Sequence, residues 1–332
     1  NPDACHGVSP FDPATGKSKK KSGENFSAVF GRTLTQLAQQ DRRVCAITAA
    51  MMSGTGLSQF QAAFPERFFD VGIAEGCAVS MAAGMAKQGA IPVFAVYSSF
   101  LQRAYDMLIH DVAIDKLHVV LGVDRAGLVG EDGPTHHGVF DIAALRPVPN
   151  LTLCSPMDER ELRRMMYTAQ LPGKGTVVIR YPRGKGVCGE DWQCPLEEIP
   201  VGKARCISQG KDVAVLSYGP IGNDVQKAVN ELKEEGCPLS VAHYDMRFCK
   251  PLDTELLEDV SARFKRVVTV EDAQRAGGFG SAVLEWMSDN NKDVKVQRIG
   301  LPDHFVEHGT VNELKVIAGI DNDTIKKVIR EG

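Results

Sequence analysis

Short apolar segments alternate with segments of helical periodicity along most of this chain, and this alternation constrains the fold more than any other feature. The apolar segments of the first half predict buried β-strands at 44–50, 68–73, 92–97, 117–124, 151–154 and 176–181. Helices are predicted between them, one at 74–87 and one with Ser155 as its N-cap. Alternating strands and helices build a parallel sheet covered on both faces. The predicted class is therefore α/β.

The alternation stops and then resumes, which indicates two domains. The predicted division is a linker or arm at 1–22, a first domain at 23–186, a linker at 187–208 and a second, smaller domain at 209–332. Strands of the second domain are predicted at 212–218, 239–244, 266–271 and 294–299, and helices near 222–235, 253–264, 280–288 and 312–330. The fold expected is two consecutive open, mainly parallel sheets with helices on both faces.

The composition and the net charge argue against several classes of function. Hydrophobic residues make up 43% of the 332 residues and charged residues 24%, as in ordinary soluble proteins. The net charge of −4 lacks the basic excess of nucleic-acid-binding proteins, and no apolar run is long enough to span a bilayer. The nine dispersed cysteines include no C-x-x-C pair, which indicates free thiols in a reducing compartment. We expect a cytoplasmic protein, or a plastid-stromal one in a plant or alga, without nucleic-acid or membrane partners.

Polar residues follow the carboxyl ends of four predicted strands of the first domain. Glu75 comes after the strand at 68–73, and the segment 98–103 follows the strand at 92–97. The segment 125–138 and Arg183 follow two further strands. Ligands of open parallel sheets bind at this edge. A carboxylate, aromatic rings, two arginines and a histidine pair are therefore predicted to converge there.

Each of these candidates has a structural alternative. Glu75, at the start of an apolar helix, is either an acid stabilised by the helix dipole or a carboxylate that exchanges a proton with a ligand. Arg125 and Arg183 are either solvated side chains or a phosphate clamp.

The glycine-rich segment 125–138 is either a surface loop or a functional loop. Its Asp132, His136 and His137 lack the spacing of a complete metal site, and fit hydrogen bonding and proton transfer better. In the second domain, the segment 276–280 (AGGFG) is not G-x-G-x-x-G. We interpret its glycines as turn and helix-cap residues and assign it no cofactor.

Several motifs are highly specific. They are 97–106 (YSSFLQRAYD), 124–127 (DRAG), 132–138 (DGPTHHG), 180–184 (RYPRG), 246–253 (MRFCKPLD) and 300–303 (GLPD), preceded by 6–16 (HGVSPFDPATG). With them the chain resembles, over nearly its whole length, the C-terminal portion of the 1-deoxy-D-xylulose-5-phosphate synthase family, thiamine-diphosphate enzymes of the transketolase superfamily. The two domains resemble, in order, the pyrimidine-binding domain and the C-terminal transketolase domain.

The resemblance implies an activity. The family condenses pyruvate with D-glyceraldehyde 3-phosphate and releases carbon dioxide, forming 1-deoxy-D-xylulose 5-phosphate for isoprenoid (methylerythritol phosphate pathway), thiamine and pyridoxal synthesis, with thiamine diphosphate and Mg²⁺ as cofactors. By resemblance Glu75 would hydrogen-bond the aminopyrimidine of the cofactor and act in catalysis. The other implied roles are cofactor binding for Ile73, Phe100 and Arg103, binding of the acceptor phosphate for Tyr97, Arg125 and Arg183, and substrate contact and catalysis for Asp132 and His136.

The sequence departs from the family at Gly76-Cys77, where bulkier polar residues usually stand, and at Met52, where proline is common. It also contains no G-D-G motif, with which the family's diphosphate-binding domain holds Mg²⁺. Because the chain begins at Asn1, we expect a fragment or processed product of a longer enzyme, or one subunit of a split enzyme. It is then expected to need the N-terminal diphosphate-binding domain for activity, and to form a homodimer by analogy.

Two other hypotheses stay open. The chain is alternatively the C-terminal subunit of a split transketolase or 2-oxo-acid dehydrogenase E1, or a non-catalytic homologue that has lost cofactor binding. The loop 125–138 favours the synthase, and the presence of Glu75 and both arginines argues against decay.

Overall fold

The computed structural model describes residues 11–17 and 24–331. The greater part of the predicted arm at 1–22, with Cys5 and residues 6–10 of the first motif, lies outside the described residues. The elements of the first half are α1 (Phe26–Gln40), β1 (Val44–Thr48), α2 (Ser58–Ala63), β2 (Phe68–Asp70), α3 (Glu75–Lys87), β3 (Ile91–Tyr97), α4 (Ser98–Leu101), α5 (Tyr105–Met107), β4 (Val120–Asp124), α6 (Asp141–Leu145), β5 (Leu151–Cys154), α7 (Glu159–Gln170) and β6 (Thr176–Arg180). Short 3₁₀ turns lie at Pro65–Arg67 and Gln102–Ala104, and a π-helical turn at Leu108–Ala113.

The second half of the chain is likewise built from strands and helices. They are β7 (Arg205–Ser208), β8 (Val213–Tyr218), α8 (Gly222–Glu234), β9 (Val241–Asp245), β10 (Phe248–Lys250), α9 (Thr254–Arg263), β11 (Arg266–Gln274), α10 (Phe279–Asp289), β12 (Lys295–Leu301), α11 (Val311–Ala318) and α12 (Asn322–Glu331).

These strands form two open sheets, which confirms the predicted fold class. The first sheet has the order β10-β5-β6-β4-β3-β1-β2, and all its pairings are parallel except that of β10 with β5. The second sheet has the order β12-β11-β8-β9-β7, and only β7 pairs antiparallel. Central strands β1, β4 and β6 are buried along their whole length because helices cover both faces of the sheet.

Two antiparallel edge strands were not predicted. β10 belongs to the second half of the chain but completes the edge of the first sheet, and β7 lies inside the segment 187–208 that was predicted to be a linker. Each has only three or four residues, which is too short for a hydrophobic period to show in the sequence.

Two predicted helix boundaries were also wrong. The helix expected at 312–330 is two helices, because Gly319 adopts a left-handed conformation with φ +67° and ends α11. The N-cap of α7 is Asp158, whose carboxylate accepts from the Glu161 N–H, and not Ser155. Ser155 is buried instead, and its hydroxyl donates to the Arg180 carbonyl.

The two sheets pack against each other. One apolar cluster runs from Phe94 and Leu121 of the first sheet to Leu216 and Phe279 of the second half. Such continuous burial fixes the orientation of the two sheets, and with it the position of the loops at their edges. Within the described residues, no helix is long and apolar enough to cross a membrane.

Candidate functional site

The carboxyl ends of β3, β4 and β6 lie side by side in the first sheet. Tyr97, the last residue of β3, stands opposite Asp124, the last residue of β4. Arg125 and Arg183 follow β4 and β6 directly or within three residues. The strand order thus brings most of the predicted site residues to one edge, which we call the rim cluster: Glu75, Tyr97, Phe100, Arg103, Arg125, Asp132, His136 and Arg183.

Glu75 begins α3 and is only 2% exposed. Its Oε1 accepts from Nη1 of Arg103 at 2.6 Å, although the Arg103 side chain is 53% exposed. The guanidinium carbon of Arg103 also lies 4.9 Å from the centre of the Phe100 ring. A planar cation at the surface therefore bridges a buried carboxylate and an aromatic ring.

Phe100 joins the two sides of the rim cluster. The Tyr97 ring stacks on it with centroids 5.7 Å apart, and the His136 ring meets it edge-on at 5.3 Å. Nδ1 of His136 lies 2.9 Å from the hydroxyl of Thr135. The side chains predicted for the cofactor and those predicted for the substrate are thus in direct contact.

Arg125 is held by groups of the protein. It adopts φ +60°, and its Nη1 donates to the Gly54 carbonyl and to Asp124 Oδ1, both at 3.0 Å. Its guanidinium carbon lies 3.7 Å from the centre of the Tyr97 ring. Burial raises the pKa of the Asp124 carboxyl to about 6, although Arg125 acts against this rise. Arg125 thus pairs with the buried Asp124 carboxylate and also belongs to the rim cluster.

Arg183 approaches the same region from β6. Its Nη1 donates to Asp132 Oδ2 at 2.7 Å and to the Val129 carbonyl at 3.2 Å. Burial raises the pKa of the Tyr97 hydroxyl, and the charges of Arg125 and Arg183 both act to lower it. Both arginines therefore act on the pKa of one hydroxyl, and Arg183 is held by Asp132.

Ile73 is highly exposed, unlike Glu75. It lies in the loop between β2 and α3, two positions before Glu75, and is 79% exposed. A Cβ at the neighbouring Gly76 would lie 2.8 Å from Cε of Met107, so the glycine gives Met107 room beside Glu75. Met52, the other departure from the family, packs against the apolar cluster around Phe30.

Sequence reasoning missed a buried ion-pair network behind the rim. Arg180 is fully buried at the end of β6, where it donates to Asp141 at 3.0 Å and to Asp272 of β11 at 2.8 Å. The signal was present, since an arginine ended an otherwise apolar strand. Removing one partner of a buried pair is costly, so this network fixes the second half against the first.

The sequence named His137 as a hydrogen-bonding candidate but did not predict that its ring is buried between the loop 125–138 and the second half of the chain. The ring lies against the carbonyl of Glu307, and the loop glycines Gly130 and Gly133 lie against Gly309 and His308. The segment between β12 and α11 therefore supports the loop that carries Asp132 and His136. Only the adjacent pair of histidines hinted at this in the sequence.

No group of three or more His, Cys, Asp or Glu side chains is arranged to hold a metal ion within residues 11–17 and 24–331. Asp132 pairs with the Arg183 guanidinium, and Nδ1 of His136 lies beside the Thr135 hydroxyl. The hydrogen-bonding and proton-transfer roles predicted for these two side chains stay predictions.

The chain matches the family model "Transketolase, pyrimidine binding domain" at residues 23–187 and the model "Transketolase, C-terminal domain" at 202–325. It is 55% identical to a 1-deoxy-D-xylulose-5-phosphate synthase of Bacteroides fragilis over 98% of this chain, and 56% identical to that of Bacteroides thetaiotaomicron over 97%. The chain spans about half the length of these relatives.

Solved structures give the same assignment. A chain described as "Split gene transketolase, inactive beta4 tetramer" superposes with a TM-score of 0.82 and 28% identity, covering 93% of this chain and 98% of that one. The transketolase of Campylobacter jejuni shares the fold, with a TM-score of 0.72 and 18% identity over 93% of this chain and 47% of its own. This chain belongs to the transketolase family, carries its pyrimidine-binding and C-terminal domains, and has 1-deoxy-D-xylulose-5-phosphate synthases among its curated relatives.

Proposed function

We propose that this chain supplies the pyrimidine-binding half of a 1-deoxy-D-xylulose-5-phosphate synthase, which condenses pyruvate with D-glyceraldehyde 3-phosphate and releases carbon dioxide. The observation that carries the proposal is the bridge from buried Glu75 through Arg103 to Phe100, at the carboxyl edge of the sheet. The 55% sequence identity of this chain to such a synthase supports the same proposal. The product would enter isoprenoid, thiamine and pyridoxal synthesis, in the cytoplasm of a bacterium.

The residues present fit the pyrimidine half of thiamine diphosphate. The planar guanidinium of Arg103 bonds the Glu75 carboxylate and covers the Phe100 ring. An aminopyrimidine is also planar and offers a nitrogen to a carboxylate and a face to an aromatic ring. Because Arg103 is half exposed, it can yield this position and contact the ligand from the side. Ile73, exposed beside Glu75, is proposed to pack against the bound cofactor.

Bound thiamine diphosphate supplies the electron sink that accepts the electron pair when pyruvate loses carbon dioxide. The residues of this chain orient groups and move protons. Glu75 would hold a proton at a pyrimidine nitrogen of the bound cofactor, because its carboxylate is buried beside the proposed position of the ring and is shielded from water. Phe100 fixes the plane of the ring, and its contact with His136 links that ring to the substrate side.

The acceptor substrate is proposed to bind on the substrate side of the rim cluster. Arg125 and Arg183 present N–H groups suited to paired bonds with phosphate oxygens, and the Arg125 guanidinium lies over the Tyr97 ring. Asp132, which Arg183 holds, and His136 are then placed to contact the reacting oxygens and to transfer protons.

The diphosphate and Mg²⁺ are proposed to bind on a separate diphosphate-binding domain, since the two family models that match this chain are the pyrimidine-binding and C-terminal domains. A homodimer of the assembled enzyme is proposed by analogy with the superfamily. We expect this chain by itself to be inactive.

One comparison favours a second candidate function. The similar solved chain of nearly equal extent comes from a split-gene transketolase, so this chain is alternatively the second subunit of a transketolase. A ketose donor would then replace pyruvate.

The test is to combine this chain with the diphosphate-binding half, joined or as a separate subunit, and to supply pyruvate or a ketose phosphate with the triose phosphate. Release of carbon dioxide with formation of the deoxy sugar phosphate is the expected result. If the assembled enzyme used the ketose phosphate as donor but not pyruvate, it would be a transketolase, and this result would contradict the proposal. Calorimetric titration of the isolated chain with thiamine diphosphate and Mg²⁺ should show weak binding, whereas tight Mg²⁺-dependent binding would contradict the division of the site.

A further inference from the structure

His137 differs from its neighbour His136 in that it is buried, at 4% exposure, and both of its ring nitrogens have partners. Nδ1 accepts from the Val129 N–H at 3.1 Å, and Nε2 lies 3.2 Å from the Glu307 carbonyl oxygen. Since Nδ1 is an acceptor, the proton is on Nε2, which donates to that carbonyl. The contacts select one neutral tautomer.

The hydrogen bond to Val129 leads directly to the rim cluster. The N–H of Val129 is bound by His137, and the carbonyl of the same residue accepts from Nη1 of Arg183 at 3.2 Å. That nitrogen of Arg183 also donates to Asp132 at 2.7 Å. His137 therefore holds the N–H of Val129, and the carbonyl of the same residue, in the next peptide group, accepts from the Arg183 guanidinium.

The other end of this chain of contacts is anchored on the C-terminal domain. Glu307 lies in the segment between β12 and α11, and the same segment packs against two glycines of the loop. A Cβ added to Gly133 would lie 3.1 Å from Cβ of His308, and one added to Gly130 would lie 3.3 Å from the Gly309 carbonyl oxygen. The imidazole thus ties the loop of one domain to the backbone of the other.

We propose that His137 is a positioning residue for the phosphorylated acceptor: through Val129 it sets the Arg183 guanidinium that binds the phosphate, and it ties this loop to the C-terminal domain. The inference rests on the proposed function, in which Arg183 binds that phosphate. His137 itself touches no substrate. The bond that matters for Arg183 is the one at Nδ1, while the bond at Nε2 anchors the loop.

This arrangement depends on the neutral imidazole. Protonation would place an N–H on Nδ1 against the Val129 N–H, and the hydrogen bond would be lost. Burial lowers the pKa of His137, with His136 acting in the same direction and the Glu307 carbonyl and Asp132 acting against it. The titratable groups facing this ring from the loop and from the segment 302–310 are Asp132, His136, His304, Glu307 and His308. The hydrogen bond that holds the loop is therefore fully present at pH values above the ordinary pKa of histidine. It is lost as the pH falls through the lowered pKa of His137.

The kinetic test uses three variants in the assembled enzyme. Asparagine places an acceptor near the Nδ1 position, glutamine places a donor near the Nε2 position, and alanine places neither. His137→Ala and His137→Gln should raise the KM for D-glyceraldehyde 3-phosphate about tenfold, because a buried N–H loses its partner. His137→Asn should stay within about threefold of wild type. The kcat, the KM for pyruvate and the activity on unphosphorylated glyceraldehyde should hardly change in any variant.

Equal effects of asparagine and alanine, or equal loss with phosphorylated and unphosphorylated acceptors, would overturn the inference and leave His137 a structural residue. Hydrogen exchange of the Val129 amide, measured by mass spectrometry on the assembled enzyme without substrates, gives a second readout that does not depend on turnover. Relative to the intrinsic exchange rate of an unstructured amide at the same pH, His137→Ala should speed this exchange about tenfold, and acidification should speed it in wild type but not in His137→Asn.

The two readouts separate the inference from the proposed function. Unchanged exchange at Val129 in His137→Ala overturns the inference whatever the activity. An assembled wild-type enzyme that makes no deoxy sugar phosphate, or an Arg183→Ala variant with normal acceptor KM, overturns the proposed role of the site instead.

Discussion

Two buried glutamates of this chain, one in each domain, have their carboxyl groups at the N-terminus of a helix, and their surroundings differ. Glu75 begins α3, and its carboxylate is paired with Arg103, a side chain that is half exposed. Glu271 lies in β11, and its two oxygens accept from the Phe279 and Gly280 N–H groups at the start of α10, at 2.7 and 2.8 Å. One carboxylate faces a movable partner at the rim, and the other is bound by its own backbone.

Under the proposed function, this difference separates a ligand-binding group, Glu75, from a structural group, Glu271. A Cβ at Gly278 would overlap the Glu271 carboxylate, so the glycine-rich turn is shaped around this side chain. The carboxylate occupies the position where a helix N-terminus would bind a ligand phosphate. The segment 276–280 is thus a turn and helix cap, as its glycines predicted, and the N-terminus of α10 is already occupied by the Glu271 carboxyl group.

The largest effect is expected from Glu75→Gln. Glutamine keeps the volume and can still accept from Arg103, but it cannot give and take a proton. Turnover of the assembled enzyme should fall by roughly 10²–10⁴-fold, the usual contribution of a general acid–base group. Steady-state formation of the deoxy sugar phosphate measures this, with Glu66→Gln, at an exposed position, as the matched control.

If Glu75→Gln kept more than half of the wild-type turnover, the carboxylate would be only a helix-capping acid, and the contrast with Glu271 would disappear. Thermal unfolding of both variants should show that the fold is intact. A variant that is merely unfolded would lose its cooperative transition as well as its activity.

A smaller effect is expected from Arg183→Ala and Arg125→Ala. A charged hydrogen bond to phosphate contributes about 1.5–3 kcal/mol, so each loss should raise the KM for the triose phosphate roughly ten- to a hundred-fold. Pyruvate carries no phosphate, and its KM should change much less. Arg43→Ala, whose guanidinium pairs with Asp41 at the surface, is the control.

Arg125→Ala should also lower stability, because it leaves Asp124 buried without its cation. Arg183, which is more exposed, should affect only the acceptor. Equal losses for pyruvate and triose phosphate in both variants would contradict the clamp and make these arginines structural.

The smallest effect is expected from Glu271→Gln, and it concerns stability and not turnover. Burial raises the pKa of Glu271 to about 8, although the Gly280 and Phe279 amides favour the carboxylate. Because this pKa is raised, Glu271 adds to the free energy of unfolding, and the contribution is fully present below the ordinary pKa near 4.5. It is lost as the pH rises towards 8. Glutamine cannot ionise, so it should cost about 1 kcal/mol at pH 5 and progressively less at higher pH.

Urea unfolding of wild type and Glu271→Gln at several pH values between 5 and 8 measures this convergence. Parallel pH profiles for the two proteins would show that Glu271 is already ionised in the fold. A large loss of turnover in this variant would show instead that Glu271 belongs with Glu75 as a catalytic group.

The sequence predicted much of the fold and most of the site. Alternating apolar strands and helices determined the two parallel sheets, since a strand buried on both faces must be apolar throughout. The strand ends then indicated where Tyr97, Arg125 and Arg183 would meet. The fold prediction succeeded because the hydrophobic period is a local property of the chain, whereas these side chains come together because β3, β4 and β6 are neighbours in the sheet.

What the sequence could not determine depends on contacts between distant segments. The strand β10 joins the first sheet from the second half, and Arg180 pairs with Asp272 across 92 positions of the chain. His137 has its role only because the segment around Glu307 lies against the loop. No local pattern encodes such pairs, because burial and hydrogen bonding there are decided by how the two sheets pack. The sequence by itself determined which chemical groups lie at the sheet edge, and only the tertiary structure decided which of them are held by the protein and which face a ligand.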